Sequence, residues 1–269
     1  MPPRLKKQLM MTIPPSYFKE YRQSIGFSSQ TAAKSYLAGK DLSAEVDYSY
    51  IDVLNLRIQE ILVRINEVVD CSLKRDDMDG FCEKNIFHPY QIILKEGLLP
   101  QLNNQGRRPE DVLFSWLRGY AICEYFIPAF SGIFSVSLES ISQIGDDDLK
   151  NVETFKRTPK ADLEFHLAGT RLRMEVQSGF TGINDIKEHK VREARRVFEE
   201  KGIKTICTHI DLFNGQVAFV ELDQIAENDA NFVTRQQMEG QSVLSIDPNY
   251  FKWSLLDTLP QLEELELEI

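Results

Sequence analysis

Apolar positions follow a helical period over the first third of the chain. Ser28, Ser29 and Thr31 can cap a short helix that ends near Gly39. A longer helix follows, in which apolar residues recur at steps of three and four residues: Leu54, Ile58, Ile61, Ile65 and Val68. This stripe spans two heptads, too short for a coiled coil, so we expect it to face the core or a dimer partner. Residues 1–105 are therefore predicted to form a helical N-terminal region.

A further helix is predicted from Pro109 to about Ile127. Proline suits the first helical position, and Pro128 is expected to end the helix. Glu124 lies on the apolar stripe of this helix with Leu113, Leu117, Tyr120 and Ile127. A carboxylate that faces the core is costly unless it is paired or binds a metal. Glu124 is therefore a candidate metal ligand or a neighbour of one, and the alternative is a salt bridge to an arginine.

After Lys160 the period changes from helical to alternating. Apolar and polar residues alternate over residues 162–167 and again over 171–177. Each segment is therefore predicted to be a strand with one apolar and one polar face. Ala168-Gly169 between them is predicted to form a two-residue hairpin turn, although alanine fits the first position of a type I′ turn poorly. A further strand is expected around Gly132 to Leu138.

The segment after the hairpin contains one helix and two strands. Asn184 is predicted to cap the helix and Gly202 to end it. Strands are predicted over residues 203–210 and 216–222, joined by a turn at Asn214-Gly215. This order of elements predicts an α/β fold with a mixed central β-sheet flanked by helices. We divide the chain into three parts of one compact unit: the helical region 1–105, a core over 106–225 and a C-terminal segment over 226–269.

Two carboxylates meet on the polar face of the predicted hairpin. If Leu167 faces Thr170 across the turn, paired residues have an index sum of 337, which places Asp162 opposite Glu175. Like charges in this position are destabilising unless a cation lies between them. Mg²⁺ suits such a pair, because it is held by one or two carboxylates with waters in its other positions. Gln177 shares the face of Glu175 and is expected opposite Lys160. The alternative is an ordinary polar sheet surface with a cross-strand ion pair between Glu164 and Arg173.

Composition and charge narrow the class of protein. The chain has 269 residues, of which 42% are hydrophobic and 27% charged, as in a globular protein. No apolar run reaches the roughly 20 residues that span a bilayer, and the first seven residues lack the apolar region of a signal peptide. We therefore expect a cytoplasmic protein with no membrane association. The formal net charge of -10 argues against a protein that coats nucleic acid, but residues 150–204 alone carry a net +4.

The motif residues resemble a known enzyme family. Pro159-Lys160-Ala161-Asp162, followed after twelve residues by Glu175-Val176-Gln177, resembles the signature of the PD-(D/E)XK nucleases. In that family a hairpin presents an Asp, an acidic residue and a Lys to Mg²⁺ and the scissile phosphate, on a core of a helix, three strands, a helix and a further strand. The resemblance covers roughly residues 109–222. Two departures are visible: Ala161 separates Lys160 from Asp162, and Gln177 stands where lysine is usual.

The resemblance implies a Mg²⁺-dependent type II restriction endonuclease with a restriction-endonuclease-like core, a homodimer that cuts double-stranded DNA at a short site. Glu-x-Gln variants exist among such enzymes. Asp162 and Glu175 would be the metal ligands, and Gln177 and Glu124 the further catalytic candidates. The alternatives are a DNA repair or recombination nuclease, and a non-catalytic DNA-binding protein with a degenerate nuclease site.

Candidate DNA contacts come from two parts of the chain. Lys160, Lys187 and Lys190 can supply the positive charge that is missing at Gln177, and Lys187, Lys190 and Arg195 lie on or beside the basic helix, where phosphate contact is expected. The second part is the acidic C-terminal third, where residues 205–269 contain only Arg235 and Lys252 as Lys or Arg. An amide-rich run surrounds that arginine, and such side chains pair with base edges. We expect base contacts from Arg235, Gln236 and Gln237. The alternatives are a solvated helix face for the basic helix and a polar surface loop with an incidental arginine for this run.

Overall fold

The computed structural model describes residues 14–39, 41–102, 107–145, 160–225, 232–235 and 241–269, with only the backbone of Arg235 and Gln241. In the described part of the N-terminal region the chain is helical, as predicted. Its helices are α1 (Pro15–Ser24), α2 (Gln30–Leu37), α3 (Tyr48–Val68), α4 (Met78–Cys82) and α5 (His88–Lys95), with a π-helical turn at Glu83–Phe87 and a 3-10 turn at Leu99–Gln101. Helix α2 begins where the sequence predicts, because the Ser29 hydroxyl accepts the Ala32 N–H at 3.1 Å.

Helix α3 turns a slightly different face inward than its apolar stripe predicts. Ile58 and Ile65 are buried as expected, and Leu62 is buried with them. Val68, the last residue of the predicted stripe, is 56% exposed because it occupies the final turn of the helix, and Ile51 extends the buried face at the other end. The inward face is therefore displaced towards the start of the helix.

Helix α6 (Pro109–Ile133) continues through Pro128, so the predicted end at Ile127 is wrong. Proline lacks the N–H that would bond the carbonyl four residues earlier, which is that of Glu124. The guanidinium of Arg75 replaces this donor, at 3.1 Å from the Glu124 oxygen and 3.2 Å from that of Tyr125. The long-range contact satisfies the carbonyl and allows the helix to continue.

The strand predicted around Gly132 to Leu138 is also wrong. Residues up to Ile133 belong to α6, and a 3-10 turn follows at Leu138–Ser140. A strand of two residues, β1 (Ser142–Gln143), begins only after that turn. The sequence does not reveal this strand, because both of its residues are polar and two residues carry no period.

Nine strands and one more helix complete the described structure. In chain order they are β1, β2 (Leu163–Leu167), β3 (Thr170–Gly179), β4 (Asp185–Lys187), α7 (Glu188–Lys201), β5 (Lys204–Asp211), β6 (Gln216–Glu221), β7 (Val233–Arg235), β8 (Gln241–Ser245) and β9 (Phe251–Ser254). Six of the strands form one mixed sheet in the order β1-β2-β3-β5-β6-β9, in which only β3 and β5 pair in parallel. The fold is mixed α/β with a central sheet flanked by helices, as predicted.

The hairpin between β2 and β3 has the predicted register. Leu167 pairs with Thr170 and Leu163 with Met174, which gives the index sum of 337. The turn residues Ala168 and Gly169 have φ values of 48° and 86°. Both therefore lie in the left-handed region that a type I′ turn requires, and alanine accepts this conformation here.

The C-terminal segment contributes to two sheets rather than forming a separate element. Strand β9 extends the central sheet beside β6, and β4, β8 and β7 form a second sheet of three strands in that order. Helix α7 ends at Gly202, which has a φ of 65°, as predicted. Its start is not at Asn184 but after Lys187, because residues 185–187 pair with β8.

The helices cover opposite faces of the central sheet. Apolar residues of α6 pack on one face with Leu172, Met174 and Ile206. Val191 and Ala194 of α7 pack on the other face, against a cluster that contains Cys207 and Ala218. No helix among the described ranges is long and apolar enough to cross a bilayer.

Candidate active site

The candidate site begins at Asp162, immediately before β2. Its N–H donates to the Met174 carbonyl at 3.1 Å, and its Oδ2 accepts the N–H of Val176 at 2.7 Å. These two residues flank Glu175, so Asp162 lies across the hairpin from Glu175, as the index sum predicts. The regular ladder begins only at Leu163, however, and the side chain of Asp162 supplies a hydrogen bond beyond its end.

Glu175 is buried against α7, with 8% of the residue exposed. Its Oε2 lies 2.8 Å from the Nζ of Lys190, and both side chains are largely shielded from water, at 11% and 19% exposure. The same ammonium donates to the Lys160 carbonyl at 3.3 Å. Lys190 therefore neutralises Glu175 and also fixes the chain just before Asp162, which the sequence does not reveal.

Gln177, two residues along β3, is tied to the second sheet. Its Nε2 donates to the carbonyl of Asp185 at 2.6 Å. The predicted pairing of Gln177 with Lys160 is wrong, because the ladder between β2 and β3 stops at Leu163. The contact instead holds β4 against the end of β3, and so fixes the orientation of the Gln177 amide.

Glu124 projects from α6 towards the start of the hairpin. Its Oε1 accepts a hydrogen bond from the Nε2 of Gln143 on β1. The predicted alternative, a salt bridge to arginine, is replaced by this amide contact, and Arg75 bonds the backbone of Glu124 instead. Burial raises the pKa of Glu124 against the opposing effects of Lys84, Gln143 and Arg75. The half-buried carboxyl thus lacks solvation for its negative charge.

Asp162 and Glu124 line one cavity of about 240 Å³ between α6, β1 and the hairpin. Other lining residues include Trp116, Tyr120, Gln143 and Val176. Glu175 does not line this cavity; it lies in a narrow hollow with Ala161, Arg173 and Lys190 on the α7 side. The two hairpin carboxylates therefore open towards different surroundings.

The cavity fits a hard divalent cation held partly by water. Mg²⁺ is bound in proteins by one or two carboxylates with waters in the remaining positions. Asp162 and Glu124 provide two carboxylates, and a cation beside Glu124 would stabilise the anion that burial disfavours. Within the described ranges no group of three or more His, Cys, Asp and Glu side chains could hold a metal.

The predicted DNA contacts are dispersed. Lys187 precedes α7, and Lys190 and Arg195 lie on it. Arg192 and Arg196 on the same helix form ion pairs with Glu188, Glu193 and Glu200, which reduces the positive charge of that face. In the C-terminal segment, the backbone of Arg235 pairs with Gln241 in the second sheet, whereas Gln236 and Gln237 lie outside the described residues.

A buried polar cluster beyond the motif was not predicted. Asn184 donates to Asp211 at 3.0 Å and contacts the Nε2 of His209 at 2.8 Å. Burial lowers the pKa of His209 to about 4, so the imidazole is neutral near pH 7. The signal in the sequence was the presence of His209 and Asp211 beside apolar residues at the end of a predicted strand. The cluster fixes the loop between β3 and β4, and with it the end of the strand that carries Glu175 and Gln177.

No protein-family model matches the chain, and a search of curated proteins finds no significant match.

Proposed function

We propose that this protein is a Mg²⁺-dependent nuclease of the PD-(D/E)XK type, and more narrowly a type II restriction endonuclease that cuts double-stranded DNA at a short site. The observation that carries the proposal is the position of Asp162 across the hairpin from Glu175, with Glu124 of the preceding helix in the same cavity as Asp162. The element order α6, β1, β2, β3, α7, β5 supports it, since the family core is a helix, three strands, a helix and a further strand; the short strand β4 between β3 and α7 belongs to the second sheet.

The residues divide the chemistry between them. Asp162 and Glu124, rather than the predicted pair of Asp162 and Glu175, would hold the Mg²⁺, because Glu175 lies outside their cavity. The ion would polarise a phosphoryl oxygen and lower the pKa of a bound water. Gln177 cannot act as a base, but its amide can orient a water or hydrogen-bond a phosphate oxygen. Lys190 carries the positive charge that the motif lacks at Gln177, since its ammonium lies beside Glu175. In this role it balances the charge of the hairpin and positions Glu175.

A second candidate function is a DNA-binding protein without nuclease activity. The ion pair between Glu175 and Lys190 favours it, because a carboxylate that is already neutralised is a weaker metal ligand. Gln177 in place of the usual lysine agrees with the same alternative. Cleavage must therefore be measured directly.

Incubation with supercoiled plasmid in Mg²⁺, beside the same mixture in EDTA, tests the proposal. A restriction enzyme gives discrete bands that need Mg²⁺. A smear indicates a repair or recombination nuclease, and binding without cleavage in Mg²⁺ indicates the non-catalytic alternative.

A homodimer follows from the proposal, because a two-fold symmetric protein is the simplest reader of a palindromic site. Light scattering should give about twice 31.0 kDa. A monomer both free and on DNA would instead favour a nicking or repair enzyme.

A further inference from the structure

The first forty residues differ in charge from the rest of the chain. They contain seven Lys and Arg and one Glu, a formal net of +6. The other 229 residues contain 24 Lys and Arg against 40 Asp and Glu, a net of -16. A polyanion that approaches this protein is therefore repelled by most of the chain and attracted by this segment.

The cations of this segment that the structure describes are available to a partner. Lys19 and Lys34 are exposed on α1 and α2, and Arg22 is half-buried on α1. Among the described residues none of the three forms an ion pair. Helix α7 differs, because Arg192 and Arg196 are paired with glutamates of their own helix. The larger accessible positive charge is thus on α1 and α2.

Helices α1 and α2 lie next to each other, and the start of α2 is polar. The turn between them contains Gly26 at a φ of 91°, and the rings of Phe27 and Tyr36 lie 5.2 Å apart. The Ser29 hydroxyl caps α2, and Gln30 and Thr31 in its first turn are exposed. Helix-turn-helix DNA-binding motifs also join two short helices by a turn that often contains glycine, and the start of their second helix enters the major groove. Their turn has about three or four residues, whereas residues 25–29 separate α1 and α2 here.

Very little of this pair is buried in the protein. Ala33 is the only buried residue of α1 and α2, and Tyr17, Tyr21 and Tyr36 are each more than half exposed. Helices of ten and eight residues are marginally stable alone in water. A docking partner would cover these side chains and stabilise the pair.

We propose that the α1–α2 pair docks on duplex DNA, with Lys19, Arg22 and Lys34 against phosphates and the first turn of α2 in the groove. The inference rests on the proposed function only in its choice of duplex DNA as the partner, and it does not require cleavage. It assigns DNA contact to a region of the chain far from the hairpin in sequence.

Charge and chemistry favour DNA over the other occupants. A second copy of the chain would bring the same three cations, Lys19, Arg22 and Lys34, against this surface, and like charges oppose that contact. The Gln30 amide and the Thr31 hydroxyl at the start of α2 suit base edges, and the ammonium groups of Lys19 and Lys34 suit phosphates. An anionic membrane would share the attraction to the ammonium groups but does not require the amide and the hydroxyl, so vesicles serve as an arm of the test.

The test compares Lys19→Gln/Lys34→Gln with the matched control Arg64→Gln/Lys95→Gln, in which two exposed cations elsewhere are removed. Fluorescence anisotropy with a labelled duplex of arbitrary sequence, in EDTA, gives the affinity at several NaCl concentrations. Each phosphate contact contributes about 0.9 to the slope of log affinity against log salt, so the first variant should lose about 1.8 and bind roughly tenfold or more weakly near 0.1 M salt. The control should keep the slope of the unmodified protein.

Equal slopes for the two double variants would overturn the inference, and so would an unmodified protein that does not bind the duplex. Sedimentation with anionic phospholipid vesicles that is lost in Lys19→Gln/Lys34→Gln, with unchanged DNA binding, would assign the surface to a membrane instead. If the unmodified protein cleaves plasmid but Lys19→Gln/Lys34→Gln keeps the salt slope of DNA binding, the inference is contradicted and the proposed function is not. A protein that loses slope but never cleaves supports the inference and contradicts the proposed nuclease function.

Discussion

The two carboxylates of the hairpin have different partners on the two sides of the sheet. On the α6 side, Asp162 and Glu124 share a cavity, and their hydrogen-bond donors include the Val176 N–H and the Gln143 amide, which are neutral. On the α7 side, Glu175 is bound by the ammonium of Lys190. If the proposed metal ion is bound, this comparison favours the α6 side for it, and in the proposed site the ammonium of Lys190 on the next helix would supply the charge of the lysine that is usual at Gln177.

Replacing Lys190 should give the largest loss of stability. Lys190→Met removes the ammonium that neutralises the largely buried carboxylate of Glu175, which costs on the order of 3 kcal/mol in the free energy of unfolding. Urea denaturation followed by circular dichroism measures it. The double variant Glu175→Gln/Lys190→Met should recover most of the loss, because no charge is left unpaired. A single variant within ~0.5 kcal/mol of the unmodified protein would show that the ion pair is unimportant.

Replacing Gln177 should have a smaller effect on stability. Gln177→Ala removes the 2.6 Å hydrogen bond to Asp185, which costs about 1 kcal/mol in the same urea measurement. If the amide also orients a water or phosphate, cleavage should slow but persist. Gln177→Lys should retain activity, because it restores the residue usual in the family. Complete loss of cleavage in Gln177→Ala with unchanged stability would mean that Gln177 is indispensable to the chemistry.

Glu124 should make the stability of the protein depend on pH, and this effect should be the smallest of the three. Because burial raises the folded-state pKa of Glu124, the folded protein binds this proton more tightly than the unfolded chain does. Stability from this group is present at low pH and is lost as the pH rises from about the ordinary glutamate pKa of 4.5 through the raised pKa. Glu124→Gln keeps an acceptor for Gln143 and removes the titration. The variant should therefore gain stability relative to the unmodified protein as the pH rises from 4 to 8.

Thermal melts at several pH values, with the exposed Glu96→Gln as control, measure this difference. A difference in melting temperature between Glu124→Gln and the unmodified protein that stays constant with pH would contradict the assigned burial.

Added Mg²⁺ should raise the melting temperature of the unmodified protein but not of Glu124→Gln, since a ligand that binds only the folded state stabilises it.

Local patterns in the sequence predicted the elements that carry the motif. Alternation over residues 162–177 and the Ala168-Gly169 turn determine the hairpin register, because one face of the sheet must be apolar. Gly202 likewise marked the end of α7. These features depend on residues close together in the chain.

Contacts between distant residues were not predictable in the same way. Helix α6 continues past Pro128 only because Arg75, more than fifty residues earlier, satisfies the free carbonyl. Lys190 contacts Glu175 because α7 packs on the hairpin, and Gln143 contacts Glu124 because β1 does. The positive charge of the N-terminal segment is hidden when charge is summed over a long stretch. Residues 1–149 together carry a net charge of -4, although the first forty residues alone carry +6.

The central claim, that Asp162 participates in Mg²⁺-dependent cleavage, is tested most directly by Asp162→Asn. Asparagine keeps an oxygen that can accept the Val176 N–H, so the fold should survive while the negative charge is lost. The rate of plasmid cleavage in Mg²⁺ is measured for this variant, for the unmodified protein and for the exposed control Asp52→Asn. We expect Asp162→Asn to cleave at least ~100-fold more slowly at an unchanged melting temperature, as the loss of a few kcal/mol of charge stabilisation implies. Cleavage by Asp162→Asn at the rate of the unmodified protein would contradict the assignment.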